Sequence, residues 1–319
     1  MEYRKLIKFG NSSYVISIPQ KWINSNSLQK GDLIYFTENG NNELVLAPYA
    51  NRQLTQEKEI TIDIKDKSED TIIREIVSAY TNNYSTIELV GDLGSRGEII
   101  EKALYNLIAL EIIEHTRDRI VIKDFLDLKD ITLDTVIRRI DLVVRSIIQE
   151  SKNSINGKNQ YENIKHMDVS VNRFRFLINR VVKTGLRNNE ILKSLNVKSP
   201  LELLSYWRVV GSLENIADEA RRISRYLKDI QLEKNEKEEL LKLYNEIEAN
   251  YLEVIKAYYN SDKVLANSIS SKKFEIITIC NKFLDKNKAN ARLVQILERL
   301  KAIESGVRDI TRVIVDKDF

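Results

Sequence analysis

One cysteine (Cys280) and two histidines (His115, His166) in 319 residues leave no disulfide framework, no Cys/His zinc site and no histidine-rich metal centre. Such usage reads as a reducing, cytoplasmic chain. No run of about 18 apolar residues occurs, and the opening thirteen residues carry charges and a glycine where a signal peptide needs a continuous apolar segment. Neither secretion nor membrane insertion is expected. There is also no Ser/His/Asp set, reactive cysteine or Walker loop, so no enzyme is expected. Glycine and proline are scarce and uneven: only Gly157, Gly185, Gly211, Gly306 and Pro200 fall in the last 222 residues. Long helices read that way. The net charge of +3 divides into +1 over residues 1–50, −5 over 51–129 and +7 over 130–319, which suggests three modules.

In the first module, Tyr3–Phe9 and Tyr14–Ile18 are runs of β-branched and aromatic residues separated by the turn chemistry of Gly10-Asn11-Ser12. Pro19 presets a first helical position for a single turn through Trp22 and Ile23. Lys30-Gly31-Asp32 is a further turn, and Leu33–Thr37 and Glu43–Ala47 flank an Asn39-Gly40 hairpin signal. Four strands in about fifty residues bury too little apolar surface to stand alone, so a partner is expected. These residues resemble the AbrB/SpoVT (MazE-like) swapped-hairpin DNA-binding domain, through Arg4-Lys5, Gly10-Asn11-Ser12, Val15-Ile16-Ser17-Ile18-Pro19, Lys21-Trp22 and Lys30-Gly31-Asp32. The resemblance implies a homodimer in which Arg4, Lys5, Lys8, the Asn11-Ser12 loop and Lys21 face DNA. Pairing would set two copies of a +3 stretch side by side. The competing reading is that these are ordinary solvated charges guarding a strand edge.

The middle module, about residues 55–128, alternates as a strand over Glu59–Ile64, takes helical spacing over Glu69–Tyr84 and alternates again over Thr86–Val90. A second helix over Arg96–Leu110 and a hairpin turning at Arg117-Asp118 complete a small α/β module. Its Gly91–Gly97 loop fits neither the Walker nor the dinucleotide pattern and reads as a strand-to-helix turn rather than a phosphate cradle.

From Ile131 helical periodicity runs nearly to the end, with breaks that leave six long stretches. Ser199-Pro200 is the strongest start signal, a capping hydroxyl followed by proline. The register of Leu213–Ile223 recurs at Ile303–Val313, which suggests duplication into halves of about residues 130–231 and 235–319. Here the chain resembles the PhoU family, whose tandem three-helix bundles carry E-x-x-x-D on the third helix and D/E-x-x-x-D/N on the second. The matches are Glu214/Asp218 and Asp168/Asn172. The expected fold is therefore multidomain and mainly α: an N-terminal swapped-hairpin β domain (1–50), a small α/β module and a six-helix PhoU-like domain.

Glu214 and Asp218 stand one helical turn apart on one face, and a facing helix adds Asp168 and Asn172. Clustered oxygens without histidine or cysteine select Mg²⁺, Ca²⁺, Mn²⁺ or iron. Acids at this spacing are also commonly solvated or salt-bridged. In the second half Arg308 replaces the acid, so at most one cation site is expected, in the first half. Two basic rows, Arg173 to Arg187 and Arg221 to Arg225, read as solvated faces or as contacts for an acidic partner.

Together the resemblances imply a dimeric DNA-binding regulator of phosphate uptake. The alternative is an adaptor that does not bind DNA, docking on a phosphate ABC transporter ATPase or a sensor kinase. A metal-storing or metal-sensing bundle is a third reading.

Overall fold

The computed structural model describes residues 3–38, 43–48, 58–94, 96–157, 160–287 and 290–317. Two compact units result, Met1–Gln56 and Glu57–Phe319, and the chain is mainly α-helical.

In the first unit β1 (Ile7–Phe9) pairs antiparallel with β2 (Ser13–Val15), Ile7 opposite Val15 and Lys8 opposite Tyr14. Helix α1 (Gln20–Ser25) follows, with Pro19 as its cap rather than its first residue. Then β3 (Tyr35–Glu38) pairs with β4 (Leu44–Ala47). The Asn39-Gly40 signal lies outside the described residues. The Lys30-Gly31-Asp32 turn is held by the Asp32 carboxylate, which accepts the Gln29 N–H at 2.7 Å. Strands are shorter than their apolar runs because each hairpin is its own two-stranded sheet, with no neighbour to extend the ladder. No described residue of this unit is buried.

The second unit opens with β5 (Glu59–Asp63), α2 (Glu69–Thr81), β6 (Thr86–Val90), α3 (Gly97–Tyr105), β7 (Leu110–His115) and β8 (Arg119–Asp124). One sheet in the order β5-β6-β8-β7 results, parallel only between β5 and β6. Both helices are shorter than their periodicity. Asn83 (φ +63°) turns the chain after α2, and Ala109 (φ +62°) turns it into β7. The loop at Gly91 spends its donors internally: Gly91 and Leu93 donate backbone N–H groups to Asp118 and Arg117 carbonyls at 2.9 and 3.1 Å, and Gly94 donates to the Asp92 carboxylate at 3.3 Å. Gly91 has φ +135°, and a Cβ there would lie 2.9 Å from Ile64 Cγ1. The described residues of the loop form a turn whose N–H groups at Gly91, Leu93 and Gly94 are spent on internal partners.

Seven helices follow among the described residues: α4 (Leu133–Asn153), α5 (Tyr161–Gly185), α6 (Asn189–Ser194), α7 (Pro200–Leu227), α8 (Lys234–Asn260), α9 (Lys263–Lys286) and α10 (Ala291–Asp316). Ser199 Oγ accepts the Glu202 N–H at 3.3 Å and Pro200 opens α7. A capping box between Glu233 and Glu236 starts α8 within the break that the sequence pattern places at Leu232–Lys237. The short α6, capped by Asn188, lies between the sequence breaks at Arg187-Asn188-Asn189 and Ser199-Pro200. Helices α4, α5 and α7 pack on one another as α8, α9 and α10 do, and α7 meets α10 along the longest contact. One continuous core results, joining Leu213, Ile216 and Ala220 to Ile303, Val307 and Ile310. Gly306 permits that approach, since a Cβ there would fall 2.7 Å from Ile216 Cγ1.

Cys280 is buried in α9, and burial pushes its thiol up to about 12. The thiolate is the reactive form. Cys280 is therefore expected to resist a thiol reagent at mildly alkaline pH in the folded protein and to react on unfolding; full labelling of the native chain would contradict this burial.

The α/β layer docks on α5. Arg180 forks onto the Asp124 carboxylate, with Nη1 at 3.1 Å and Nη2 closer, while Nε donates to Asn83 Oδ1 at 2.8 Å. Its guanidinium also lies over Tyr80, 4.9 Å from the ring centre. Lys183 donates to Thr81 Oγ1 at 3.4 Å, and Arg173 covers Tyr105 at 5.5 Å. Three of the five basic residues in the row on α5, Arg173, Arg180 and Lys183, thus form an internal docking face rather than a surface for a partner.

Candidate functional site

Of the residues expected to face DNA, Arg4 and Lys5 precede β1, Lys8 lies within it, Asn11 and Ser12 form the β1–β2 turn and Lys21 begins α1. All six are exposed. Beside them stands an apolar set equally open to water: Leu6 67%, Phe9 69%, Leu33 71% and Leu44 64% exposed. Alternation along the strands puts Ile7, Phe9 and Val15 on one face and Lys8, Tyr14 on the other. A two-stranded hairpin with solvent on its apolar face is marginal in isolation. Among its described residues this unit has no closed core of its own.

Residues 7–54 match the family described as antidote-toxin recognition MazE, bacterial antitoxin. The first compact unit thus carries a MazE-like segment, in agreement with the resemblance seen in the Lys30-Gly31-Asp32 and Ile18-Pro19 motifs. That match stops before β5 and extends to neither the α/β layer nor helices α4 to α10. No curated protein matches the chain. Among the described residues no helix is long and apolar enough to cross a membrane.

The four residues expected to hold a cation lie on α5 and α7. Asn172 donates to Asp168 Oδ2 at 3.3 Å, and Asp168 is buried. The positive charge beside these acids belongs to arginines. Arg221 Nε lies 3.1 Å from Asp168 Oδ2 and its Nη2 pairs with Asp218, while Arg222 Nη2 reaches Asp218 at 2.6 Å. Glu219 adds Arg222 at 2.9 Å and, across to α10, Arg299 at 3.3 Å. Burial raises the Asp168 carboxyl above the ordinary carboxylate value against the opposing pull of Arg221, and burial likewise raises Glu214. Among the described residues no group of three His, Cys, Asp or Glu is disposed to hold a metal ion. As arranged here, the quartet does not fit a metal: a cation would have to displace the Arg221 guanidinium.

The partners Arg221 and Arg222 escaped the sequence reading of this patch. They stand three and four residues after Asp218, a spacing that favours ion pairs on one helix face. Glu214 makes no hydrogen bond or ion pair with this network among the described residues, but feels the charges of Asp218, Asp168 and Arg222, and it lines a groove between α5, α7 and α10. In the second half, Glu304 is buried and accepts from Asn250 Nδ2 at 3.4 Å. Arg308 lies over the Phe274 ring at 5.8 Å. His166 is exposed on α5.

Proposed function

We propose that this protein is a dimeric DNA-binding regulator. Two MazE-like segments fold together around their exposed apolar side chains and present Arg4, Lys5, Lys8, Lys21 and the Asn11-Ser12 turn to DNA. The observation that carries the reading is that the described part of this unit has no buried residue, yet holds basic side chains next to its uncovered apolar ones. The helical unit serves as the sensing part. Its three-plus-three repetition and the positions of Glu214/Asp218 and Asp168/Asn172 support the PhoU resemblance, and from that resemblance comes phosphate uptake as the process regulated.

A salt-titrated DNA-binding measurement on the full chain tests this. Each phosphate contact contributes about 0.9 to the slope of log affinity against log salt, and a dimer lacking Arg4, Lys5 and Lys8 loses six such contacts. The triple alanine variant is expected to flatten the slope by about 5. No binding by the unaltered protein at low salt removes the DNA reading; binding that is identical with and without inorganic phosphate removes phosphate as the signal.

A further inference from the structure

Where α5, α7 and α10 meet lies a groove of ≈ 400 Å³, with Arg175, Trp207, Gly211, Glu214, Asn215 and Asp309 on its walls. Its volume falls in the range of small-molecule sites, about 300–1,000 Å³. Arg175 is fixed there on purely local terms. Its guanidinium lies over the Trp207 indole at 5.1 Å and donates from Nη1 to the Trp207 carbonyl oxygen at 3.0 Å. Gly211 makes the space, since a Cβ at that position would stand 3.3 Å from both Nη atoms. Trp207 is anchored in turn by its Nε1, which donates to Asn179 Oδ1 at 2.7 Å, and remains 41% exposed.

Arg175 is half-buried and makes no ion pair with any described residue. On the same groove Glu214 has neither a hydrogen bond nor an ion pair among the described residues, though burial and the charge of Arg175 both act on it. The remaining charges are answered: Asp309 pairs with Arg312 at 2.8 Å and Arg208 with Asp316 at 3.0 Å. One desolvated cation and one desolvated acid therefore face one cavity, close enough to feel each other's charge but not in direct contact.

The signs select the ligand. A planar guanidinium with free donors suits a carboxylate or phosphate. A dianion would meet Glu214 and Asp309 on the same walls, and a neutral ligand would leave Arg175 unanswered. A zwitterion answers both, and the open surface of Trp207 suits an apolar side chain. We propose that this groove binds a small zwitterion of the free α-amino-acid type, its carboxylate on Arg175, its ammonium towards Glu214, and its side chain along Trp207. The groove lies wholly within Glu57–Phe319, so the proposal is independent of the DNA reading.

The test uses the full chain in calorimetric titration and thermal-shift measurements against the free amino acids, with inorganic phosphate and succinate as contrasting anions. At least one amino acid is expected to bind at or below millimolar concentration. Arg175→Gln is expected to weaken it about tenfold or more, the loss of one charged hydrogen-bonding partner. Gly211→Ala, which displaces the guanidinium without removing it, should weaken binding as well and guards against misfolding of the first variant. Absence of binding by every amino acid overturns the proposal, as does equal binding by Arg175→Gln or tighter binding of phosphate or succinate.

Discussion

Arg180→Ala is expected to destabilise the Glu57–Phe319 unit by about 3–5 kcal/mol, the loss typical of stripping one partner from a buried ion pair. Arg180 and Asp124 expose only 3% and 6% of their side chains. Removing the guanidinium leaves a buried carboxylate without its bidentate partner and takes a donor from Asn83 and a cation from the Tyr80 ring. Lysine is not expected to rescue the variant, because one ammonium cannot reproduce the fork on Asp124 together with the bond to Asn83. Replacing both partners, Arg180→Met with Asp124→Leu, should recover much of the loss, since an apolar pair of similar volume avoids the desolvation cost. Urea unfolding followed by circular dichroism measures each variant. A loss below about 1 kcal/mol for Arg180→Ala would place this pair with weak surface bridges and contradict the docking role assigned to it.

A second large effect is expected at the first unit. Ile7 and Val15 are directly opposed across the β1–β2 hairpin and 58% and 44% exposed. Burying such a side chain completely from water contributes about 1.5–3 kcal/mol. Since about half of each side chain is already covered, two copies of two side chains buried on self-association supply about 3–6 kcal/mol, enough to shift a micromolar dimer to monomer. The variant Ile7→Asp with Val15→Asp should sediment as a monomer while keeping the helical signal of residues 57–319. A mass equal to that of the unaltered protein would show that this face is not where chains meet.

Long elements were legible because their signals are local. The Ser199-Pro200 start, the Gly157 stop and the recurrence of Leu213–Ile223 at Ile303–Val313 all depend on neighbours in sequence, and α7 and α10 follow them. Short elements were less so: α6 has six residues and no room for periodicity, and α3 ends at Tyr105, with Asn106 as its cap, short of the apolar spacing that runs to Leu110. The acidic patch shows the same division. That Asp168 and Asp218 share a patch was readable from helix order, and the pairs from Asp218 to Arg221 and Arg222 were readable from spacing. The reach of Arg221 to Asp168 was not, because it depends on how α5 and α7 pack. Likewise, Arg180 reads as one more surface arginine until β8 is placed beside it.

A unit whose described residues are all at least partly open to water has no stability of its own to quote. On the proposed dimer its folding is a second-order property: the folded fraction of this unit's described residues follows total protein concentration. The helical unit, with its closed core, has no such dependence. Dilution is then expected to silence the N-terminal end while leaving the rest intact, so that the amount of protein made would itself set how much of it is competent to engage a partner.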